Sequence, residues 1–346
     1  MNKIKRYSTL IAKALKNKGK NYPFVFIVFR LLFWTFIYRG GIAYFFMLNL
    51  HKKDHRFNQV VGNKEFMRIH DKLNPVYYRV LLEDKYVFDR FMRSFNVPLV
   101  EMRGLIFNDK LKWIDEGRTE PLDNITKYDL DCYFKMHTKW GGQDVHKLEI
   151  HNGDITIDNK ASNLQDFKDI ASGALFVIQT RIKQHPEINR INGSCVNTVR
   201  TITIHDGERA HNFMNYLRIG VSNSIVDNVS HGGLGCGIGE DGILFETAMD
   251  KYGFSGWITH HPDSKVEFKG CKIPFYQEAL KMVVIMHQCF HCFFMIGWDV
   301  VITESGPVIL EANPVGGLLY EQSLHGGVRA KFLEYANSYR KRRSLE

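Results

Sequence analysis

The chain has 346 residues, enough for two domains or one large one around a well-buried core. Its 45% apolar and 24% charged residues, with 28 Gly and only 9 Pro, exclude a collagen-like or disordered chain, and six Cys are too few for a disulfide scaffold, so free thiols in a reducing, cytoplasmic compartment are expected. The net charge of +9 is uneven: residues 1–53 hold eleven Lys/Arg and no acid, whereas the rest hold 35 basic and 37 acidic residues, a near-neutral body that argues against nucleic-acid binding.

Residues 3–18 place Tyr7, Leu10, Ile11, Ala14 and Leu15 at helical spacing, with the lysines mostly off that stripe. This is the pattern of a basic amphipathic helix suited to an anionic membrane surface. Apolar, aromatic-rich runs follow at 24–29, 31–38 and 42–50. Arg30 and then Arg39-Gly40-Gly41 interrupt them, short of the roughly 20 apolar residues that a spanning helix needs. No small-residue cleavage site marks a signal peptide. Two amphipathic helices packed on the body are expected. Attachment of residues 1–53 to an anionic membrane surface, on its inner face, is compatible with that packing.

Residues 54–95 read as helical, with one helix at 84–95 stopped by Asn96-Val97-Pro98. Strand-like runs follow at 132–136, 145–150, 155–157 and 174–180, and a hairpin at 199–205 and 211–219 turns on Asp206-Gly207-Glu208. A buried helix is expected at 275–294, then a hairpin at 297–303 and 308–312, then a C-terminal helix at 326–342. Helices mixed with antiparallel pairs give an α+β class.

The sharpest chemical signal lies in the last hairpin. Glu311 and Asn313 are two apart and share a strand face, and Asp299 stands on the neighbouring strand. Two carboxylates and an amide oxygen among apolar residues suit Mg²⁺, which takes hard oxygen ligands together with substrate phosphates. Lys135, on a strand six residues before Gly141-Gly142, offers a fixed positive charge next to a backbone that a phosphate can approach. The strand Val177-Ile178-Gln179 offers backbone and amide hydrogen bonds to a purine edge. Arg200 suits a bidentate clamp on phosphate or carboxylate. Asn197, His185, Asn228, His231 and Gly232 are weaker candidates for the substrate side. Cys236 is read as a passenger, and Cys289, His291 and Cys292 as core packing.

In that order, Lys135, the Gly-containing loop, the strand ending at Gln179, Asn197-Thr198-Val199-Arg200, Asp299 and Glu311-Ala312-Asn313 resemble the ATP-grasp superfamily. The phrases Gln184-His185-Pro186, Val226-Asp227-Asn228, His231-Gly232-Gly233 and Asp84-Lys85 resemble its sugar-transfer-associated branch, linked to polysaccharide biosynthesis. The resemblance implies an ATP-grasp fold, in which two α+β subdomains grip ATP, preceded by a basic helical extension. It also implies divisions at 1–53, 54–130 (a region preceding the grasp) and 131–346 (the catalytic core). The implied activity is that of a ligase. ATP activates a carboxylate, such as an amino acid, as an acylphosphate, and an amine or hydroxyl of a sugar or glycan precursor then displaces phosphate. In that reading Asp299, Glu311 and Asn313 hold Mg²⁺. Lys135, Arg200 and Asn197 act in catalysis, and Lys135, Gly141, Gly142, Val177, Ile178, Gln179 and Arg200 bind ATP. A kinase acting on a hydroxyl, and a non-catalytic scaffold for glycan assembly, are the alternatives.

Overall fold

The computed structural model describes residues 23–38, 40–53, 55–138, 144–250, 257–318 and 320–343. The helix expected at 3–18, and Gly141 and Gly142, lie outside the described residues.

Helices α1 (Phe24–Phe36) and α2 (Ile42–Met47) meet through Ile27, Trp34, Phe45, Leu48 and Leu50. The break between them has a steric cause. A Cβ at Gly40 would lie 1.9 Å from the Trp34 ring, so only glycine lets the chain cross that indole. No helix among the described residues is long and apolar enough to cross a membrane. Helices α3 (Asn63–Leu73) and α4 (Lys85–Arg93) follow. Asp84 fixes the start of α4, its carboxylate accepting from Tyr86 N at 2.9 Å and Val87 N at 3.0 Å.

Among the described residues the strands form two antiparallel sheets. The first holds β1 (Met102–Phe107), β2 (Lys110–Trp113), β3 (Thr119–Pro121), β4 (Leu130–Met136), β5 (Val145–His151), β6 (Asp154–Ile157), β7 (Lys160–Ser162) and β8 (Phe176–Thr180), in the order β3-β2-β1-β8-β4-β5-β6-β7. Strands on both sides of residue 130 thus share one sheet. One face packs on α5 (Leu164–Ala171) through Phe134, Phe167 and Ile178. A capping box of Asn163 and Asp166 starts α5. The reading of the sequence passed over this short helix.

The second sheet holds β9 (Thr198–His205), β10 (Ala210–Ile219), β11 (Leu234–Ile238), β12 (Leu244–Asp250), β13 (Met295–Thr303) and β14 (Gly306–Asn313), in the order β12-β11-β10-β9-β13-β14. Helix α6 (Pro186–Ile191) lies in the connection from β8 to β9. On one side, α7 (Tyr276–Cys289) buries Val199, Leu217 and Trp298. On the other, α3 and α8 (Arg329–Arg343) cover Ile202, Ile204 and Met214. The expected helix at 275–294 ends at Cys289, and its last residues turn directly into β13. Continuous apolar character hides that boundary, because a buried helix end and a central strand are equally apolar. The last helix is also shorter than expected: Gly326, at φ 85, separates a short turn, Glu321–His325, from α8.

The segment leading into β1 joins the edge strand β14 of the second sheet. Val100 N donates to Ile309 O at 3.2 Å and Ile309 N donates to Pro98 O at 2.9 Å. A cleft remains between the facing surfaces of the two sheets.

Candidate active site

Register across the second sheet builds the floor of the cleft. Tyr216 on β10 stands opposite Arg200 on β9, Arg200 opposite Asp299 on β13, and Asp299 opposite Glu311 on β14. These four polar side chains therefore form one row across four strands, on the face that α3 and α8 cover only lower down. A bulge between Asp299 and Val300 leaves Leu310 without an opposite residue, and Leu310 and Glu311 both line the cleft.

Asp299 is wholly buried and held from two sides. Arg200 donates through Nε to Oδ1 at 2.5 Å and through Nη2 to Oδ2 at 3.0 Å, a bidentate fork, and Arg218 Nη2 lies 3.2 Å from Oδ2. Arg218 also pairs with Asp227 Oδ1 at 3.0 Å, and the other Asp227 oxygen accepts from Thr198 N at 2.8 Å and Thr198 Oγ1 at 2.6 Å. Gly297 makes room for the fork: a Cβ there would sit 2.8 Å from Gly316 Cα and 3.1 Å from Arg200 Nη1. Arg200, expected to clamp phosphate or carboxylate, spends its fork on Asp299.

The opposite wall comes from the first sheet and α4. Lys135 on β4 pairs in register with Val145 and Val177, and Tyr133 pairs with Gln179. Lys85, at the start of α4, is tied down by its own N–H, which donates to His137 O at 2.9 Å. Lys85 and Lys135 both act on Glu311 and repel each other. Burial pushes the Lys135 ammonium down to about 8, against the pull of Glu311. Lys85, Lys135, Arg218, Asp227, Asn228 and Glu311 are among the polar residues that line the cleft. A narrow recess continues past Lys85 and Glu311 to Gln179 and Asn313. Val177 and Ile178 face opposite sides of their sheet: Val177 packs with Met102 and Leu105, and Ile178 lies in the core around Phe134.

The fit to a divalent cation rests on the carboxylate pair. Burial raises the Asp299 carboxyl above the usual carboxylate range, against the pull of Arg200 and Arg218. Burial also works against ionised Glu311, yet Lys85, Arg218 and Lys135 hold its carboxyl below that range. Two adjacent carboxyls, one buried and one half-buried, resist sharing full negative charge, and a proton or a cation relieves them. Asn313 points its amide N–H at Asp299 Oδ2, 3.5 Å away, leaving its amide oxygen as a donor to a cation. Glu311 and the Asn313 amide oxygen thus fit Mg²⁺, and Asp299 would add an oxygen only in exchange for a guanidinium hydrogen bond. Among the described residues no three His, Cys, Asp or Glu side chains group as a metal site, so substrate oxygens would complete the shell.

Of the weaker candidates, Asn228 lines the cleft. The others do not. His185 caps α6, accepting from Glu187 N at 3.2 Å. Asn197 is buried in a knot: its amide donates to Gln184 Oε1 at 3.0 Å and Asn192 O at 2.7 Å, and its oxygen accepts from Gly220 N at 3.0 Å. His231 and Gly232 sit in an exposed turn. Lys85, Arg218 and Asp227 were not singled out as site residues from the sequence. A signal for Arg218 was present, since it is a cation inside the apolar run from Tyr216 to Ile219.

The sugar-transfer associated ATP-grasp family matches residues 64–330. The chain belongs to that family. No curated protein matches it. Among solved structures, this ATP-grasp protein is similar to a D-alanine–D-alanine ligase from Bacillus anthracis complexed with ATP, at 12% identity, covering 77% of this chain and 69% of that one, with a TM-score of 0.41. It is similar to an N5-carboxyaminoimidazole ribonucleotide synthetase in complex with ADP, at 13% identity, 67% and 45% coverage and a TM-score of 0.39. It is also similar to a RimK domain ATP-grasp protein from Sphaerobacter thermophilus, at 14% identity, 76% and 68% coverage and a TM-score of 0.37. The chain spans less than half the length of the N5-carboxyaminoimidazole ribonucleotide synthetase.

The lysine pair carries a prediction for nucleotide grip. Lys135→Ala removes a positive charge from a site where little water screens it. ATP titrated into the variant should bind more weakly, and phosphoryl transfer should slow by roughly 10²–10³-fold. Unchanged affinity together with an unchanged rate contradicts a phosphate role for Lys135.

Proposed function

We propose that this ATP-grasp protein is a ligase. It uses ATP to activate a carboxylate, an amino acid or a related acid, and joins it to an amine or hydroxyl of a sugar or glycan precursor in polysaccharide synthesis. The observation that carries this reading is that Glu311, at the end of the row Arg200, Asp299, Glu311, lines one cleft with Lys85 and Lys135. The six cysteines, all free thiols, support a cytoplasmic placement.

The residues divide the work. Lys85 and Lys135 take the phosphate oxygens from above. Glu311, Asn313 and Asp299 face them from below and would hold Mg²⁺, which when bound neutralises charge on the phosphates. Arg200 and Arg218 hold Asp299 in place. Gln179, in the recess behind Glu311, reads the adenine edge, whereas Val177 and Ile178, expected to share that task, spend their backbone groups on the ladders to β1 and β4. A substrate carboxylate oxygen attacks the γ-phosphorus, the bond from phosphorus to the bridging oxygen breaks, and ADP leaves with that electron pair. The acceptor nitrogen or oxygen then adds to the acyl carbon, and inorganic phosphate departs. Asn228 and Arg218, which line the cleft, would orient the substrate carboxylate.

A kinase would need a general base for its hydroxyl. Among the described residues that line the cleft there is no histidine, and Asp227 is committed to Thr198 and Arg218. This favours an already ionised carboxylate, rather than a hydroxyl, as the group that attacks phosphorus. Hydroxylamine added to enzyme, Mg²⁺, ATP and a panel of amino acids and sugar acids should yield a hydroxamate with ADP. A substrate that instead leaves as a stable phosphate ester, with no hydroxamate, overturns the ligase reading.

A further inference from the structure

Helix α1 is apolar on both sides. Its inner stripe, Ile27 and Trp34, is buried against α2 and the residues after it. Its outer stripe, Val25, Phe29, Leu32 and Phe36, recurs at i, i+4, i+7 and i+11 and faces outward, with Val25 75%, Phe29 68% and Phe36 72% exposed. Its only charged residue, Arg30, is turned inward: Nε donates to Leu50 O at 2.6 Å, Nη2 donates to His55 O, and the guanidinium lies 4.5 Å from the centre of the Phe57 ring. No charge therefore interrupts the outer stripe. Soluble monomers rarely leave so continuous an apolar face in water.

We infer that this outer face of α1 is a membrane-docking surface, lying flat in the headgroup region of an anionic bilayer. Three observations select that occupant. The helix has 13 residues, about 20 Å at 1.5 Å per residue, too short to cross a bilayer but long enough to lie in its interface. The sequence immediately before it, residues 1–22, carries seven Lys/Arg and no Asp or Glu, which complements anionic headgroups. The same charge opposes the main rival, a second copy of the chain, because two-fold pairing through α1 would bring two such basic segments together. The inner stripe anchors α1 to the body, so docking holds the whole molecule at the surface. This surface is separate from the cleft, and the inference stands whether or not the ligase reading does.

The test uses the full-length chain and co-sedimentation with vesicles of phosphatidylcholine alone or mixed with phosphatidylserine, at low and high salt. Wild type should pellet with the mixed vesicles, more weakly as salt rises, and hardly at all with phosphatidylcholine. The double variant Phe29→Glu, Phe36→Glu should lose at least about 100-fold in partitioning, roughly tenfold for each ring withdrawn from the interface. ATP titration of the same variant should match wild type, as neither ring lines the cleft. If the glutamates lower the melting temperature, Phe29→Ser with Phe36→Ser repeats the comparison without new charge. Equal pelleting of wild type and a folded variant overturns the inference. So does wild type that ignores vesicles. If it sediments as a dimer that the variant dissolves, the occupant is a second copy. If it stays monomeric, residues 1–22 or nothing at all covers the face.

Discussion

Glu311→Gln should lose Mg²⁺-dependent ADP formation while keeping its fold. Glu311 lines the cleft, is only partly buried, and has Lys85 and Lys135 as its cationic neighbours. The amide is nearly isosteric and can still face a hydrogen-bond donor, so the stability change should stay within about 1–2 kcal/mol. The chemical loss is far larger. A neutral amide is a poor ligand for a hard cation, and stabilisation of charge on a transferring phosphoryl group is worth several kcal/mol. About 4 kcal/mol corresponds to a rate roughly 10³-fold lower. Thermal unfolding and ADP release, measured on one preparation with magnesium varied, separate the two effects. Near-normal turnover with an unchanged magnesium dependence contradicts the assignment of Glu311.

Asp299→Asn should behave differently, although Asp299 and Glu311 face each other across the same hairpin. Asp299 has no solvent exposure, and both of its oxygens accept from guanidinium groups. The asparagine leaves Arg200 without its carboxylate partner in a buried site, and an amide cannot accept a fork at both ends. Arg218 keeps Asp227. Breaking a buried pair from one side costs about 3–5 kcal/mol, a large share of the total stability of an ordinary domain. The expected result is a clear fall in melting temperature with activity lost as well. A melting curve that overlays wild type contradicts the clamp described here. The contrast is informative because two variants of equal chemical size, two ångström-scale neighbours in one row, should separate into a catalytic loss and a structural one.

Parts of this site are legible in the sequence, and the reasons differ by residue. Asp299, Glu311 and Asn313 stand out because polar residues recur at period two in an apolar hairpin, where strand geometry alone puts them on one face. Lys135 stands out for a different reason, a strand lysine six residues before Gly141-Gly142. Arg218 does not, because its meaning depends on which strands lie beside β10. Only the order β10-β9-β13-β14 brings it to Asp299, and local spacing does not set sheet order. Lys85 is hidden for another reason. It opens a helix, where a lysine is ordinarily a solvated residue, and becomes a cleft residue only through the bond from its N–H to His137 O. Asn197 shows the reverse error. An asparagine beside a strand arginine reads as a substrate ligand, yet its hydrogen bonds are used within the loop from Gln184 to Gly220. In the fold, the hairpins were clear from their turns, whereas the boundary between α7 and β13 was not, since both sides of it are apolar.

The central claim is that this cleft transfers the γ-phosphoryl group of ATP to a carboxylate, reversibly, before any acceptor is joined. ATP carrying heavy oxygen in the bridge between its β- and γ-phosphates tests it most directly. Enzyme, Mg²⁺ and labelled ATP are incubated with a panel of amino acids and sugar acids, with no amine or sugar acceptor present. When the acylphosphate forms, the freed β-phosphate can rotate before the bond re-forms. At least one carboxylate should drive the label from the bridge into non-bridging positions, and Glu311→Gln should abolish this. Label that stays in the bridge with every carboxylate, but scrambles when a sugar hydroxyl compound alone is supplied, contradicts it.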